Sequence, residues 1–527
     1  MSIREVARRL RAWQGGRPLP RYQTRHIAVA PQVSTLIVAF VRMAGESRPW
    51  GIAWGHPGAE PRLVAVPDGR VRDDVAVMCA DFSEELLAHF RVHNWSYDPI
   101  GQQGKTNDLR QLWVPNGQHV AMLHNLNYAY AQTTSGGTNV TILNALGRLS
   151  GWLFRDSSRR GEQHLIDASA ALRESFVFPA EDARQAHLGY LLGWLSPDEP
   201  HATRDQRLAD AFAAEQTPVS PTMDPTLERN ELEPLLDRRL RLRREGGTTD
   251  EVDAKIESII SGEARRRWLL CDSAYALLAN DSRPTNPGVD DLVALSLQEF
   301  WWKIQAVELK VSDPSGGKPF VPHPETDSHG SSAAADYLRV AAADERYVNL
   351  LIHDDDELFA ESLADGHAVR VRVTRVDDRG QGRVTTPVWS VDVLADTVGR
   401  LREGSRLVPR GSSGHHATIT SLAVTEDGIH LEVEWQARKT QALGTGAALK
   451  PIDTGWVNEV VDFIPSDAAD LTLRRSRKVW DAAKGPGAWL THGKPNVFLV
   501  PDSTDDESSV DLILDDVAQL ERSGDAG

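Results

Sequence analysis

Cysteine and long apolar runs are both scarce in this sequence of 527 residues. Its two cysteines, Cys79 and Cys271, provide neither a disulfide framework nor a cysteine-based zinc site. The longest apolar run, VSTLIVAFV, has nine residues, about half of what a membrane helix needs. The N-terminus, MSIREVARRLRAW, has arginines but no apolar segment of the kind that signal peptides carry. These absences predict a cytoplasmic protein that does not bind a membrane.

Positive overall charge and the common catalytic motifs are also missing. The formal net charge is −17, which excludes a surface that is basic all over. A local basic groove is still compatible with this charge, because nucleic-acid binding depends on where the charges lie. The motifs Gly-x-Ser-x-Gly, His-Glu-x-x-His and Gly-x-Gly-x-x-Gly do not occur. Heavy use of arginine with little lysine is typical of GC-rich bacterial genomes. We therefore expect no cofactor and none of these enzyme classes.

The chain is too long for one hydrophobic core, and its patterns predict a multidomain α+β fold. Short apolar strands, separated by Gly, Pro and Ser, dominate the N-terminal part, and apolar residues at helical spacing dominate the middle. A Pro-, Gly- and Ser-rich stretch then precedes a strand-rich part. The predicted units are residues 1–117 (α+β, with a basic N-terminal helix), 118–311 (helical), 312–332 (linker), 333–500 (a domain with a small antiparallel β-barrel) and 501–527 (an acidic, partly disordered tail).

The N-terminal helix is rich in arginine and also has an apolar face. Ile3, Val6, Leu10 and Trp13 share one side of IREVARRLRAW. We expect this face to dock on the body of the protein. A basic arm that reaches nucleic acid is the alternative.

The triplet Gly104-Lys105-Thr106 matches the end of a phosphate-binding loop. Such a loop needs a glycine five residues before its Gly-Lys pair, and Pro99, which has no N–H, stands at that position. The preceding HFRVHNWSYDP is not an apolar strand, and the following TNDLRQLW leaves little room for a helix before Pro115. The triplet therefore predicts a solvated turn, and we expect no nucleotide hydrolysis.

A nuclease centre is an alternative interpretation of the segment AVELKV. Glu308 and Lys310 have the Glu-x-Lys spacing of many restriction-type nucleases, with Asp290 or Asp291 as the further acid. Magnesium would lie between the carboxylates, and the lysine would steady the attacking water. Because a helical stripe of apolar residues continues through this segment, we favour a helix, which would place the carboxylates incorrectly.

The segment HPETDSH contains four residue types that bind metals. The prolines and glycines around it favour a flexible connector, so no metal site is predicted there. The four residues are His323, Glu325, Asp327 and His329.

Three arginine clusters are the features that favour nucleic-acid binding. Guanidinium groups pair with phosphates, and a neighbouring indole can stack on a base. A solvated helix face that pairs with acids is the alternative for each cluster. The clusters contain Arg238, Arg239, Arg241, Arg243 and Arg244; Arg265, Arg266 and Arg267; and Arg474, Arg475, Arg477 and Lys478 beside Trp480.

The strand-rich part has the two-residue alternation of half-buried strands. AVRVRVTRV and PVWSVDV alternate in this way, and ATITSLAVTEDGIHLEVEW predicts a hairpin with Asp427-Gly428 in its turn. Residues of about 368–437 resemble the small accessory β-barrel of Upf1/Dna2-type superfamily 1 helicases, although the motor motifs are missing. The resemblance implies an accessory protein that handles nucleic acid, working with a separate helicase in a bacterial defence system.

Two functions follow from these observations. The first is a non-catalytic nucleic-acid-binding or scaffold subunit of a bacterial nucleic-acid-processing complex, in which the partners are DNA or RNA and other protein subunits, such as a helicase or nuclease. The second is a metal-dependent nuclease centred on Glu308 and Lys310.

Overall fold

The computed structural model describes most of two long segments of the chain. They are residues 3–286 without 91–94, 99–102, 107–108, 158–160, 162, 182 and 197–200, and residues 355–465 without 381–384, 395–400, 411–415 and 436–448; positions 289, 292, 293, 296, 297, 347, 351 and 352 are also described. All of these residues belong to one compact unit, Met1–Thr326 with Tyr347–Ser466. The predicted linker and acidic tail lie outside the described residues.

Helices and strands are mixed in the N-terminal segment, and strands dominate the C-terminal one. The helices are α1 (Ile3–Gly15), α2 (Arg72–Phe90), α3 (Gly117–Tyr130), α4 (Val140–Asp156), α5 (Ala168–Ser175), α6 (Leu188–Leu195), α7 (Arg204–Glu215), the single turn α8 (Pro225–Leu227), α9 (Glu233–Arg244), α10 (Asp250–Ala279) and α11 (Asp356–Ala364). Short 3-10 helices occupy Gln32–Ser34, Gly137–Asn139, Arg184–Ala186 and Thr454–Trp456, and a π-helix occupies Glu228–Leu232.

The strands of the described residues form four sheets. They are β1 (Leu19–Pro20), β2 (Thr35–Val41), β3 (Gly51–Gly55), β4 (Arg62–Ala65), β5 (Trp95–Asp98), β6 (Gln103–Thr106), β7 (Gln111–Val114), β8 (Leu165–Asp167), β9 (Phe176–Val177), β10 (Val369–Asp378), β11 (Pro387–Val393), β12 (Arg406–Pro409), β13 (Ala417–Thr425), β14 (Gly428–Trp435) and β15 (Val460–Pro465). Strands β1 and β9 pair with each other, as do β5 and β6.

A five-stranded sheet with the order β4-β3-β2-β7-β8 forms the centre of the N-terminal part. Strands β2, β7 and β8 are parallel, and β3 is antiparallel to both of its neighbours. Every residue of β2 is buried, as expected for a strand that is covered on both faces. Alternate residues of β2 therefore enter two different hydrophobic cores.

Helices cover both faces of this sheet. On one face, Leu36, Val38 and Phe40 pack against α2, α3 and α4. On the other face, Ile37 and Ala39 pack against the long helix α10 and its neighbours α5 and α6. The result is a three-layer helix–sheet–helix arrangement.

The sheet crosses the predicted boundary between residues 117 and 118. Strand β7 ends at Val114, and β8, which pairs with it in parallel, begins at Leu165. The hydrophobic core that contains Leu112 also contains Leu165 and residues of α3 and α4. The division into an α+β domain and a helical domain is therefore wrong at this position, because both parts bury their apolar side chains in the same two cores.

Six antiparallel strands of the C-terminal segment close on themselves in the order β10-β11-β14-β13-β12-β15. Strand β10 pairs with both β11 and β15, which completes the circle. Val369, Val371 and Val373 are buried, whereas Arg370 and Arg372 are exposed. The predicted alternation is confirmed in β10 and β14, and so are the hairpin at Asp427-Gly428 and a mixed fold of helices and strands. Strand β11 departs from the alternation, because its first three residues are all buried. We call the six strands the closed sheet.

Helix α1 docks mainly through its charged face, so the predicted docking through its apolar face is wrong for Val6 and Leu10, whereas Trp13 contacts Trp194. Arg4, Arg8 and Arg11 follow one another at the spacing of one helix face and pair with the acids of α11 and of its N-cap. Val6, Leu10 and Trp13 lie on the opposite face and are 47, 53 and 37 % exposed. The acids of α11, which are distant in sequence, thus decide which face of α1 is buried.

In the part of the chain that the structure describes, no helix combines the length and the apolarity that a membrane crossing requires.

Candidate nucleic-acid interface

The central arginines of two predicted clusters lie inside the protein. Arg239 of α9 is 1 % exposed and donates to Asp253 Oδ1 at 2.5 Å and to Asp68 Oδ2 at 3.3 Å. Arg267 of α10 is fully buried and donates to the carbonyl oxygens of Ser220 and Thr222 and to Glu263. The prediction that these two side chains contact nucleic acid is therefore wrong, because their guanidinium groups are used within the fold.

The other described members of these clusters lie nearer the surface. Arg265 pairs with Glu60 at 2.6 Å, and Arg266 pairs with Glu263 at 2.9 Å. Arg238 is 4.0 Å from Glu251. Three arginines at the end of α9 are exposed and have no ion-pair partner among the described residues; these are Arg241, Arg243 and Arg244. The clusters therefore do not form one groove, and part of α9 remains available.

Three further sets of predicted residues lie outside the described residues, so their predictions stand unchanged. They are the third arginine cluster (Arg474, Arg475, Arg477, Lys478 and Trp480), the nuclease set (Asp290, Asp291, Glu308 and Lys310) and the connector set (His323, Glu325, Asp327 and His329). Among the residues that are described, no group of three or more His, Cys, Asp or Glu side chains could hold a metal ion.

The triplet Gly104-Lys105-Thr106 lies in a strand, and the predicted solvated turn is wrong at these positions. Strand β6 pairs antiparallel with β5, and Lys105 lies opposite Ser96. The next described element along the chain is strand β7. A phosphate-binding loop leads directly into a helix, whose N-terminus faces the phosphate. The triplet does not have that context here.

The carboxyl end of β2 is covered by the protein's own chain. Ligands of open α/β sheets usually bind in the crevice at the carboxyl ends of the strands. Here Arg42, directly after β2, exchanges backbone hydrogen bonds with Pro221 and Met223. Nδ1 of His119 accepts from Phe40 N–H at 3.1 Å, and its Nε2 donates to Val219 O at 3.0 Å. The loop of residues 218–223 therefore fills the position next to β2.

We expect the protein to lose stability in acid because two histidines are buried in the neutral form. Burial lowers the pKa values of His119 and His89 to about 3. In the unfolded chain both histidines would have a pKa of about 6.5. Stability is thus fully present above pH ~6.5 and falls as the pH drops toward ~3, by about 1.4 kcal/mol per pH unit for each histidine.

Urea titrations between neutral pH and pH ~4 measure this slope. His119→Gln should flatten the slope by the contribution of one proton, while the exposed His201→Gln should leave it unchanged. An unchanged slope in the His119 variant would show that this side chain is not responsible.

A cleft of about 240 Å³ combines an exposed aromatic ring with two arginines. It lies between the first turn of α2, the end of α3 and the loop before β3, and its lining includes Arg48, Arg72 and Tyr128. Tyr128 is 91 % exposed. Neither arginine has a hydrogen-bonded or ion-paired side-chain partner within the described ranges. We call these three residues and their surroundings the Tyr128 cleft.

The periodicity of α3 explains why this ring is outside. Leu126 and Tyr130 are buried in the core, and Tyr128, two residues from each, points about 200° away from them. The loop that carries Arg48 is tied to the same helix, because Asn125 Nδ2 donates to Ser47 O at 3.3 Å. The ring and the guanidinium group are thus held on connected elements.

The charge of the cleft is positive, although one acid belongs to it. Asp73, in the first turn of α2, lines the cleft with Arg48 and Arg72. Two guanidinium groups against one carboxylate leave one net positive charge, which favours an anionic ligand. Sequence reasoning missed this site because its residues come from three separate segments. An aromatic residue at a polar position of α3 is the one signal that could have indicated it.

Two larger clefts, of about 590 and 600 Å³, both include Tyr22 in their linings. Their arginines are engaged within the protein: Arg8 pairs with Glu357 at 2.8 Å, and Arg21 pairs with Glu5 at 2.9 Å. The Tyr128 cleft is therefore the stronger candidate for an anionic ligand.

Comparison of the chain with protein-family models, with curated proteins and with solved structures gives no match. The candidate site consequently rests on its own geometry, and the resemblance of the closed sheet to a helicase accessory barrel stays a prediction.

Proposed function

We propose that this protein is a non-catalytic subunit of a nucleic-acid-processing complex and that it binds a single strand of DNA or RNA at the Tyr128 cleft. The observation that carries the proposal is a ring that is 91 % exposed beside two arginines without carboxylate partners in the described part of the chain. Guanidinium groups pair with phosphates, and aromatic rings stack on unpaired bases.

The form of the cleft favours a single strand over a duplex. A single exposed ring can stack on a base only if one face of that base is uncovered, as in a single strand. The two arginines are then available for the phosphates on either side of this base. A duplex would present phosphates to the arginines but no free base face to Tyr128.

The lining of the cleft supports binding without catalysis. Its hydroxyl groups come from side chains such as Ser47, Thr133 and Ser135, and the described lining contains no histidine that could activate them. A weak nucleophile needs an adjacent base or a lowered pKa to react. Thr133 Oγ1 instead donates to Ser135 O at 3.0 Å, which fixes the turn after α3.

We expect Tyr128→Ala to weaken the binding of a labelled single strand by about 1–3 kcal/mol through the loss of base stacking. Tyr128→Phe should keep most of the affinity, because the ring remains. Each of Arg48→Gln and Arg72→Gln should lower the salt dependence by about 0.7 in the log–log slope for single strands. Fluorescence anisotropy of a fluorescein-labelled oligothymidine, measured over a series of salt concentrations, gives both quantities.

Two further variants distinguish binding at the cleft from a general effect of the protein's charge on binding. Asp73→Asn should strengthen binding, since it removes the carboxylate from the cleft, and the exposed Arg402→Gln should change little. If neither DNA nor RNA binds at low ionic strength, the proposal fails. If Arg241, Arg243 and Arg244 together are required and Tyr128 is not, the strand lies on α9 and the cleft is not the site.

A further inference from the structure

Helix α1 presents an apolar stripe to solvent although the rest of the helix is firmly docked. Val6, Leu10 and Trp13 stand at the i, i+4 and i+7 positions and are 47, 53 and 37 % exposed. This spacing is the one that helix-in-groove contacts between proteins use. In such contacts, a helical partner covers apolar side chains that share one exposed helix face.

The charged side of α1 holds the helix in place. Arg8 donates to Glu357 at 2.8 Å and also pairs with Asp355, and the side chains of Arg8 and Asp355 are only 13 and 6 % exposed. Burial acts to lower the pKa of Arg8, but the carboxylates of Asp355 and Glu357 outweigh it and raise the pKa above its usual value. The stripe is thus a fixed feature of the surface, because turning it inward would break these ion pairs.

Trp13 gives the stripe a rigid anchor. Its ring meets Trp194 edge to face, with the centroids 6.1 Å apart, and the guanidinium group of Arg204 lies 5.1 Å from its ring. Tryptophans held in this way are common among the residues that dominate binding energy. A partner can bury the remaining exposed part of the ring without ordering it first.

The charges around the stripe identify the chemistry of the partner. Arg17 is exposed and has no ion-pair partner in the described ranges, and Arg204, whose side chain is 45 % exposed, pairs with the exposed Asp205 at 3.1 Å, so these three side chains together carry one net positive charge. We propose that the stripe binds an acidic amphipathic helix of another protein. Leucine-like side chains of that helix would cover Val6, Leu10 and Trp13, and its carboxylates would meet Arg17 and Arg204.

Two other occupants fit the surface less well. A second copy of this chain would bring its own Arg17 and Arg204 close to these arginines. A membrane surface would require the basic residues of α1 to face the lipid headgroups. Arg4 and Arg8 instead pair with Glu361 and Asp355 on the opposite side of the helix.

The test uses a fluorescein-labelled synthetic peptide of about 18 residues, long enough to form a helix, with leucines at helical spacing and glutamates elsewhere. Its counterpart carries lysines in place of the glutamates. The full-length protein should bind the glutamate peptide and not the lysine peptide. Leu10→Glu and Trp13→Ala should each weaken binding about tenfold or more.

Val77→Glu is the matched control, because Val77 is 60 % exposed on α2 and lies outside the stripe. It should leave peptide binding unchanged, and circular dichroism should show that all variants are folded. Nucleic-acid binding should not respond to Leu10→Glu. The proposed nucleic-acid site and the proposed peptide site can therefore be contradicted separately. Equal binding of both peptides, or an unaffected Leu10→Glu variant, would overturn the inference.

Light scattering and vesicle binding distinguish the other occupants. Concentration-dependent dimerisation that Leu10→Glu abolishes would assign the stripe to a second copy of the chain. Binding to phosphatidylserine vesicles that the same variant abolishes would assign it to a membrane. Either result would replace the acidic partner proposed here.

Discussion

Replacing Arg267 with methionine is expected to lower the free energy of unfolding by about 3–5 kcal/mol. The side chain is fully buried and donates to Ser220 O at 2.7 Å, to Thr222 O at 3.1 Å and to Glu263 at 2.8 Å. Methionine fills much of the same volume but leaves the carbonyl oxygens of Ser220 and Thr222 without this donor, and Glu263 then keeps, among the described residues, only its ion pair with Arg266. Burial lowers the pKa of Arg267 to about 10 while Glu263 acts to raise it, so the group removed is charged at neutral pH.

The same helix provides the control for this experiment. Arg265→Met removes an arginine whose partner, Glu60, is largely exposed, and such surface pairs contribute about 0–1 kcal/mol. Arg267→Lys keeps the charge but loses the planar fork and should fall between the two. Urea titration gives the three values. Equal, small losses of unfolding free energy at both positions would contradict the buried role of Arg267. Reduced oligonucleotide binding by folded Arg267→Met would instead support its predicted contact with nucleic acid.

Trp389→Ala should destabilise the closed sheet by about 3–5 kcal/mol, the usual cost of removing a fully buried large aromatic ring. The ring is 0 % exposed and has its centroid 4.6 Å from that of Trp435 and 5.2 Å from that of Trp456. Its Nε1 donates to Pro451 O at 2.6 Å. Alanine would leave both a cavity and a buried carbonyl oxygen without a donor.

Two variants separate these contributions. Trp389→Phe keeps most of the packing and loses the hydrogen bond, so it should cost less than Trp389→Ala. Val424→Ala, at a position 72 % exposed on β13, should change stability by no more than about 0.5 kcal/mol. Urea titration followed by tryptophan fluorescence measures all three. A small effect of Trp389→Ala would mean that the interior of the closed sheet is not held by this ring.

The closed sheet was the part of the fold that the sequence predicted best, and the reason is its half-buried strands. Val369, Val371 and Val373 alternate with exposed side chains, which is a local signal that needs no knowledge of the rest of the chain. Strand β8 has only three residues, LID, of which Leu165 and Ile166 are buried in succession, and it gives no such alternation. The central sheet was therefore divided at a boundary that does not exist.

Burial of individual charges could not be predicted locally either. Arg265, Arg266 and Arg267 are identical in type and adjacent, yet only Arg267 is fully buried, because α10 turns it toward the loop of residues 218–223. The orientation of α1 depends in the same way on Asp355 and Glu357, far along the chain. The Tyr128 cleft likewise exists only after three segments have been brought together by the fold.

The position of α10 late in the sequence has a consequence for how the protein folds during its synthesis on the ribosome. Trp268 on this helix donates to Ile37 O across 231 positions of sequence, and α10 covers strands β2, β3, β4 and β7. One apolar face of the sheet therefore stays exposed to water until α10 has been synthesised. Contacts of such long range form slowly and leave apolar strands exposed in the meantime. Nascent chains that end before Asp250 should thus aggregate or recruit chaperones, whereas chains that include Ala279 can complete both cores.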